Sequence, residues 1–206
     1  LAVLSLLLLP VAASAQEPDS IGGMLLRSVQ TIEGASHAGR NAAVKQMLGE
    51  LGLPYSTMPF DTILVRRNRA DTVSGENIIV RLGRGPRKIV VGAHYDAVPG
   101  SPGANDNGGG VAVLLGLLRT LKAHRFQHSI DVCFFDREED GLIGSAVYVR
   151  RYDPDATHVA MINLDVEGTG SEIYGFAYLV EKDAGPERSR AWAENVEFRE
   201  GVSEGD

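Results

Sequence analysis

The sequence is poor in cysteine, in aromatic side chains and in basic charge. Cys133 is its single cysteine, so no disulfide can form within the chain, and stability has to come from packing, with bound metal as a further source. It sits inside Ile130-Asp131-Val132-Cys133-Phe134-Phe135, a β-rich run that predicts a buried, inert thiol rather than a nucleophile. Twenty Lys and Arg stand against 27 Asp and Glu, a formal charge of -7 at pH 7. That balance argues against nucleic acid or an anionic membrane surface as a partner, because both demand a basic footprint. Long apolar runs are missing too, with one exception at Leu1 to Pro10. About ten apolar residues are too few for a bilayer, which needs about 20. Closed by Ala13-Ser14-Ala15, they match the core and cleavage site of a secretory signal. The initiating Met and the usual basic start are absent, so residues 1–15 are expected to be a truncated signal peptide. The mature protein is then expected to begin at or near Gln16, to be secreted or periplasmic, and to have no membrane segment.

What is present is an alternation of short strands and helices. Ile21 to Leu53 reads as largely helical, with Ser36 capping Ala38 to Leu48 and Gly52 and Pro54 ending the run. Strands are expected at Thr62 to Arg66, Asn77 to Leu82 and Lys88 to Ala93, separated by turns at Asp71 to Glu76 and Gly83 to Arg87. The basic cluster Arg66-Arg67-Asn68-Arg69 reads as a solvated strand end. Gly108 to Ala123 predicts a buried helix, because Val111, Leu114, Leu115, Leu117, Leu118 and Leu121 cover most of its circumference. A strand at Ile130 to Phe135, a helix at Gly144 to Arg150 and a strand at Val159 to Leu164 follow. A further strand is expected at Glu172 to Phe176 and a helix at Pro186 to Asn195. This order implies an α/β fold: a mixed, largely parallel central sheet with helices on both faces, in one domain over residues 16–206. Ligands in such sheets gather at the carboxyl ends of strands. His94, the run Asp136 to Glu139, and Asp165 fall at three such ends.

Those residues carry the chemistry. His94 follows the strand Val90-Val91-Gly92-Ala93, and Asp96, two residues on, can accept the second ring N–H, a common support for a metal-binding imidazole. Asp106 lies in Gly103-Ala104-Asn105-Asp106-Asn107-Gly108-Gly109-Gly110, where glycine lets the backbone approach a site closely. Aligned as an EF-hand, this loop would put Gly103 where an acidic ligand is required, so that motif is excluded. Gly83-x-Gly85 is followed by Pro86 and a strand, which excludes a nucleotide loop. Glu138 and Glu139 are adjacent, so one can reach a metal while the other moves protons. Asp165 adds a separate carboxylate. His37, His124, His128 and His158 lack such surroundings and read as surface or packing residues. Each segment alone is ordinary; together at strand ends they point to a metal-dependent hydrolase.

The combination His94-Tyr95-Asp96, Gly103 to Asn107, Glu138-Glu139-Asp140-Gly141-Leu142-x-Gly144-Ser145 and Asn163-Leu164-Asp165 resembles the secreted co-catalytic di-zinc aminopeptidases, peptidase family twenty-eight of the metallopeptidases. The resemblance spans roughly Ala38 to Asp206. It implies two zinc ions: His94 and Asp165 on one, Asp106 bridging both, and Glu139 on the second. It further implies Glu138 as general base, Asp96 orienting His94, and a cis peptide bond at Asp106-Asn107. The implied reaction removes the N-terminal residue of peptide substrates through a metal-bridged water. The alternatives are a glutaminyl-peptide cyclase-like zinc enzyme and a catalytically dead binding domain. The family's second zinc also takes a histidine far downstream, and no histidine follows His158. The expectation is therefore a span cut at both ends and inactive alone, with the missing His within roughly ten residues after Asp206 to complete a set of three ligands.

Overall fold

Two serines start the first two helices. Helix α1 (Ile21–Ile32) is capped by the Ser20 hydroxyl, which accepts from the Gly23 amide at 3.0 Å. Helix α2 (His37–Glu50) is capped by Ser36, which accepts from Gly39 at 3.2 Å. Each such cap satisfies an amide that the helix cannot and contributes about 1 kcal/mol. The cap expected at Ser36 is thus present, and the helical region breaks just before it. The computed structural model describes residues 20–66, 69–152 and 158–166, together with 178–179 and 190–191. The chain divides into two compact units, Leu1–Gly168 and Thr169–Asp206.

In the first unit, β1 (Ser56–Arg66) and β2 (Arg69–Leu82) form a long antiparallel hairpin, followed by β3 (Lys88–His94), α3 (Gly110–Leu121), β4 (Ser129–Phe135), α4 (Ile143–Tyr152) and β5 (His158–Asn163). The sheet order is β1-β2-β4-β3-β5. Pairing is antiparallel at β1-β2 and β2-β4 and parallel at β4-β3 and β3-β5. The sheet is mixed, as expected, and its parallel part is the part whose strands are joined through helices.

The hairpin corrects one expectation. Asp71 to Glu76 is strand rather than turn, and Asp71 pairs with Leu64 as Gly75 pairs with Phe60. Most of this arm is exposed, so its polar side chains stay hydrated while the backbone gains ladder partners. Tertiary pairing overrides the turn-like composition. β1 likewise starts earlier than expected, at Ser56, because Met58 and Phe60 bury their side chains. Pro59 is tolerated because β1 is an edge strand.

Helices cover both sheet faces. On one, Ile32, Val44, Leu48, Leu114, Leu115 and Leu118 pack against Ile78, Val80, Val91, Val132 and Phe134. On the other, Tyr148 of α4 joins Met58, Ile79, Val90, Cys133 and Phe135. Burying each large aliphatic side chain stabilises by about 1.5–3 kcal/mol. Cys133 is free and buried, and burial pushes its thiol well up, as expected of an inert thiol. α4 can approach β4 because residue 144 is glycine: an added Cβ would lie 2.2 Å from the Asp136 carbonyl oxygen.

Two further expectations change. α3 begins at Gly110 rather than Gly108, because Ala104–Gly109 forms a wider turn in which Asp106 and Asn107 leave helical geometry. The Asn107 side chain then accepts from the Gly110 amide at 3.0 Å and starts the regular helix. In the second unit, β6 (Tyr178–Leu179) pairs antiparallel with β7 (Arg190–Ala191). Arg190–Ala191 is therefore strand where a helix was expected, since the pairing supplies backbone partners that outweigh helix propensity. The expected strand at Glu172 to Phe176, the rest of the expected Pro186 to Asn195 helix, and residues 1–15 lie outside the described residues. No helix among the described residues is long and apolar enough to cross a membrane.

Candidate metal centre

Parallel strands that start together also end together, and here the ends converge. β3 ends at His94, β4 runs into Asp136 to Glu139, β5 runs into Asp165, and the wide turn before α3 brings in Asp106. His94 is buried. Its Nε2 lies 3.1 Å from Asp106 Oδ1, 3.5 Å from Asp165 Oδ1 and 3.8 Å from Glu138 Oε2. Two groups of candidate ligand atoms lie mutually within 4.8 Å: His94 with Asp106 and Asp165, and His94 with Glu138 and Glu139. All five expected ligand and base residues are thus gathered. Asp106 and Glu139, the pair expected on the second zinc, do not share a three-ligand group among the described residues.

The charges show what this arrangement lacks. Burial works against a charged imidazole, yet the adjoining Asp96 carboxylate, followed by the charges of Glu138 and Asp165, raises His94 to about 9. Burial raises Glu138, and Asp165, Asp96 and Asp106 push it further up while His94 pulls it down. Glu139 is raised by burial first and then by Asp106, Glu138 and Asp96, again against His94. Carboxylates that push one another up outnumber the single imidazole, so a divalent cation would relieve a repulsion the protein itself leaves in place. An imidazole with several carboxylates is the donor set of a catalytic zinc site, and the residues fit that ion.

Asp96 does more than face the imidazole. Its Oδ1 lies 3.3 Å from His94 Nδ1, an approach made by charge rather than by an aligned hydrogen bond. The same carboxylate accepts from the Glu138 amide at 3.1 Å and the Glu139 amide at 3.2 Å. Burial alone would raise Asp96, but His94 and these amides hold it below the usual carboxylate range. One side chain therefore registers the end of β3 against the Glu138-Glu139 turn. The Asp106-Asn107 peptide is cis, as the resemblance implied. Asn107 ties this turn to β5 by donating to the Leu164 carbonyl at 2.9 Å. Val166, just past Asp165, has φ 55°, a strained value for a β-branched residue and one that functional sites retain.

Several supports escape a motif-based reading. Asn77, fully buried, accepts from the Asp136 amide at 3.0 Å and donates to the Gly144 carbonyl at 2.8 Å, joining β2, β4 and α4. His37, expected to be a surface or packing residue, lies 2.7 Å from the buried Asp136 carboxylate and stacks on Tyr95. Nothing in the local sequence signals that contact. Arg40 is buried too, and here a signal existed: Arg40, Val44, Met47 and Leu48 fall on one helical stripe, so a cation occupies the core face of α2. Burial lowers its affinity for a proton, while Asp96, Asp106 and Glu139 favour the charged form. Beside the cluster, a 260 Å³ cavity is lined by His94, Phe135, Glu138, Leu142, Ser145, Met161 and Asn163.

The structure of a zinc aminopeptidase from Bacillus subtilis matches with a TM-score of 0.60 at 16% identity, covering 70% of this chain and 68% of that one. A glutaminyl cyclase from Porphyromonas gingivalis matches at 0.55 and 25% identity, covering 73% and 59%. The family model of Peptidase family M28 matches residues 77–203. The chain belongs to that family. It is 39% identical over 119 residues to Aminopeptidase YwaD of Bacillus subtilis (strain 168), covering 55% of this chain and 26% of that protein. The chain thus spans about a quarter of that curated relative's length.

Proposed function

We propose that this chain forms the zinc-binding part of an exopeptidase that removes the N-terminal residue of peptides. The carrying observation is the approach of Asp106, Asp165 and Glu138 to His94 Nε2, within 3.1 to 3.8 Å. In this reading His94, Asp106 and Asp165 would hold one zinc, and Asp106 and Glu139 would contribute to a second. Zinc supplies Lewis acidity that polarises a carbonyl and lowers the pKa of water. Glu138, next to the cavity and with its pKa raised, takes a proton from the attacking water at Oε2 and returns it to the departing amine. Asp96 keeps the His94 ring and the two glutamate amides in fixed relation. Phe135, Leu142 and Met161 give the cavity beside Glu138 an apolar wall. The apolar run before Ala13-Ser14-Ala15 supports export to a secreted or periplasmic location.

The test is zinc content by elemental analysis of the whole protein, together with hydrolysis of an aminoacyl-anilide with and without chelator. Zinc-dependent release of the anilide is expected. A protein that binds no zinc overturns the proposal. A second reading, cyclisation of N-terminal glutaminyl peptides, is favoured by the likeness to the Porphyromonas gingivalis cyclase. Ring closure of such peptides without anilide hydrolysis would select it.

A further inference from the structure

Arg40 is the most deeply buried cation near the metal cluster, at 1% exposure, yet its hydrogen bonds all run to backbone carbonyls. Nε donates to the carbonyl of Tyr95, the residue between His94 and Asp96. Nη1 donates to Ile32, the last residue of α1, at 3.0 Å and to Pro102 at 3.4 Å. Nη2 donates to Gly103 at 3.1 Å. One planar group therefore joins three segments: the end of α1, the end of β3, and the loop that leads into Asp106.

The loop carbonyls are held from a second side as well. Pro102 also accepts from the Gly34 amide at 2.7 Å, and Gly103 from the Gly108 amide at 3.0 Å. Gly103 has φ +63°, and a Cβ there would lie 2.6 Å from Arg40 Nη1. The guanidinium thus packs directly on the loop backbone, which leaves no space for a side chain. A buried cation usually sits on a carboxylate. This one is stabilised by the charges of Asp96, Asp106 and Glu139 without bonding any of them, which leaves the oxygens of Asp106 and Glu139 free for metal. Five donors in a rigid fork can reach carbonyls on three segments, whereas the three donors of lysine leave from one point.

We propose that Arg40 is a positioning residue for the metal centre: it sets the spacing between the His94-Asp96 strand end and the Asp106 loop, and through that spacing the affinity for metal. The inference rests on the zinc reading above. Its test compares zinc affinity, by chelator competition, with the melting temperature of the metal-free protein in Arg40→Met, Arg40→Lys and Gly103→Ala. Asp131→Asn, which alters the ion pair between Arg81 of β2 and the buried Asp131 of β4, away from every Arg40 contact, is the structural control. Loss of a group that orients metal ligands lowers affinity by about 10- to 100-fold, and that loss is expected for Arg40→Met and Gly103→Ala. Arg40→Lys should recover part of it. Asp131→Asn should melt earlier with zinc affinity within about twofold of the parent, because it moves no ligand.

Unchanged affinity in Arg40→Met overturns the proposal, and so does an equal loss in Asp131→Asn. If Arg40→Met does not fold, Arg40→Lys decides on the same readout. If neither folds even in excess zinc, Arg40 is a folding element only and the proposal fails. A parent protein that binds no zinc overturns the metal reading, and the clamp with it. A zinc-binding parent with indifferent variants overturns the clamp alone.

Discussion

Two charge clusters lie on and just beyond strand β4, one around a buried carboxylate and one around a buried imidazole, and they are built on opposite principles. Around Asp131, Arg81 donates at 2.5 and 2.6 Å and the Tyr148 hydroxyl at 2.7 Å to a fully buried carboxylate. Burial alone would raise Asp131, but Arg81 and Tyr148 hold it below the usual carboxylate range. Beyond the end of the same strand, Glu138 and Glu139 are raised, and the neighbouring carboxylates push them up. The first cluster is complete in itself and behaves as structure. The second is short of positive charge, and that shortage is what marks a cation site. Acidity alone would not have told the two apart; the ratio of donors to carboxylates does.

The sharpest way to break this contrast is Glu138→Gln in the whole protein. Zinc content should stay, while the rate of aminoacyl-anilide hydrolysis falls by at least about 10²-fold, the scale of a general base. Equal zinc loss in Glu138→Gln and Glu139→Gln would show that the roles of the two glutamates are assigned wrongly.

The complete cluster should respond in stability instead. Asp131→Asn should cost about 1–3 kcal/mol in urea unfolding, as expected when a buried partner is lost. Its pH dependence has a definite sign. The folded pKa of Asp131 is depressed, so its contribution is present above the unfolded value near ~3.9 and is lost as pH falls through the folded value. The parent should therefore lose stability more steeply than the variant below about pH 4. Parallel acid limbs in the two proteins would contradict this.

The smallest effect should run the other way. Glu139→Gln removes a carboxylate that is disfavoured in its charged form in the metal-free protein. At pH 7 it should raise the metal-free melting temperature by on the order of 1–2 °C, about half of 1 kcal/mol, and it should abolish binding of one zinc. A drop in that melting temperature would mean that Glu139 is held by contacts rather than crowded by charge.

The candidate ligand residues were legible because each sits in a short run whose neighbours announce it: a strand before His94, glycines around Asp106, paired acids after Phe135. The parallel strands were legible for a related reason, since β3 and β4 are buried on both faces and read as continuous apolar runs. The outer arm of the hairpin was not, because its polar residues cost nothing in solvent and imitate a turn. Asn77, His37 and Arg40 were missed for a different cause. Most of their partners lie 55 to 99 residues away, and no local window contains both ends of such a contact. Arg40 could have been flagged by its place on the apolar stripe of α2, though its carbonyl partners could not.

The reach of those contacts bears on the order in which the molecule comes together. Arg40 meets Tyr95 across 55 residues and Gly103 across 63, and His37 meets Asp136 across 99. Helices α1 and α2 leave the ribosome before any of the candidate ligands has been made. Loops of this length close slowly, and they close only around a formed sheet. Ligand geometry is therefore a late product of folding, and a peptide carrying His94 to Asp106 alone should capture zinc no better than a random coil of the same composition. On the zinc reading, metal would then act as a seal on the finished fold, rewarding the chain only once the distant helices have docked.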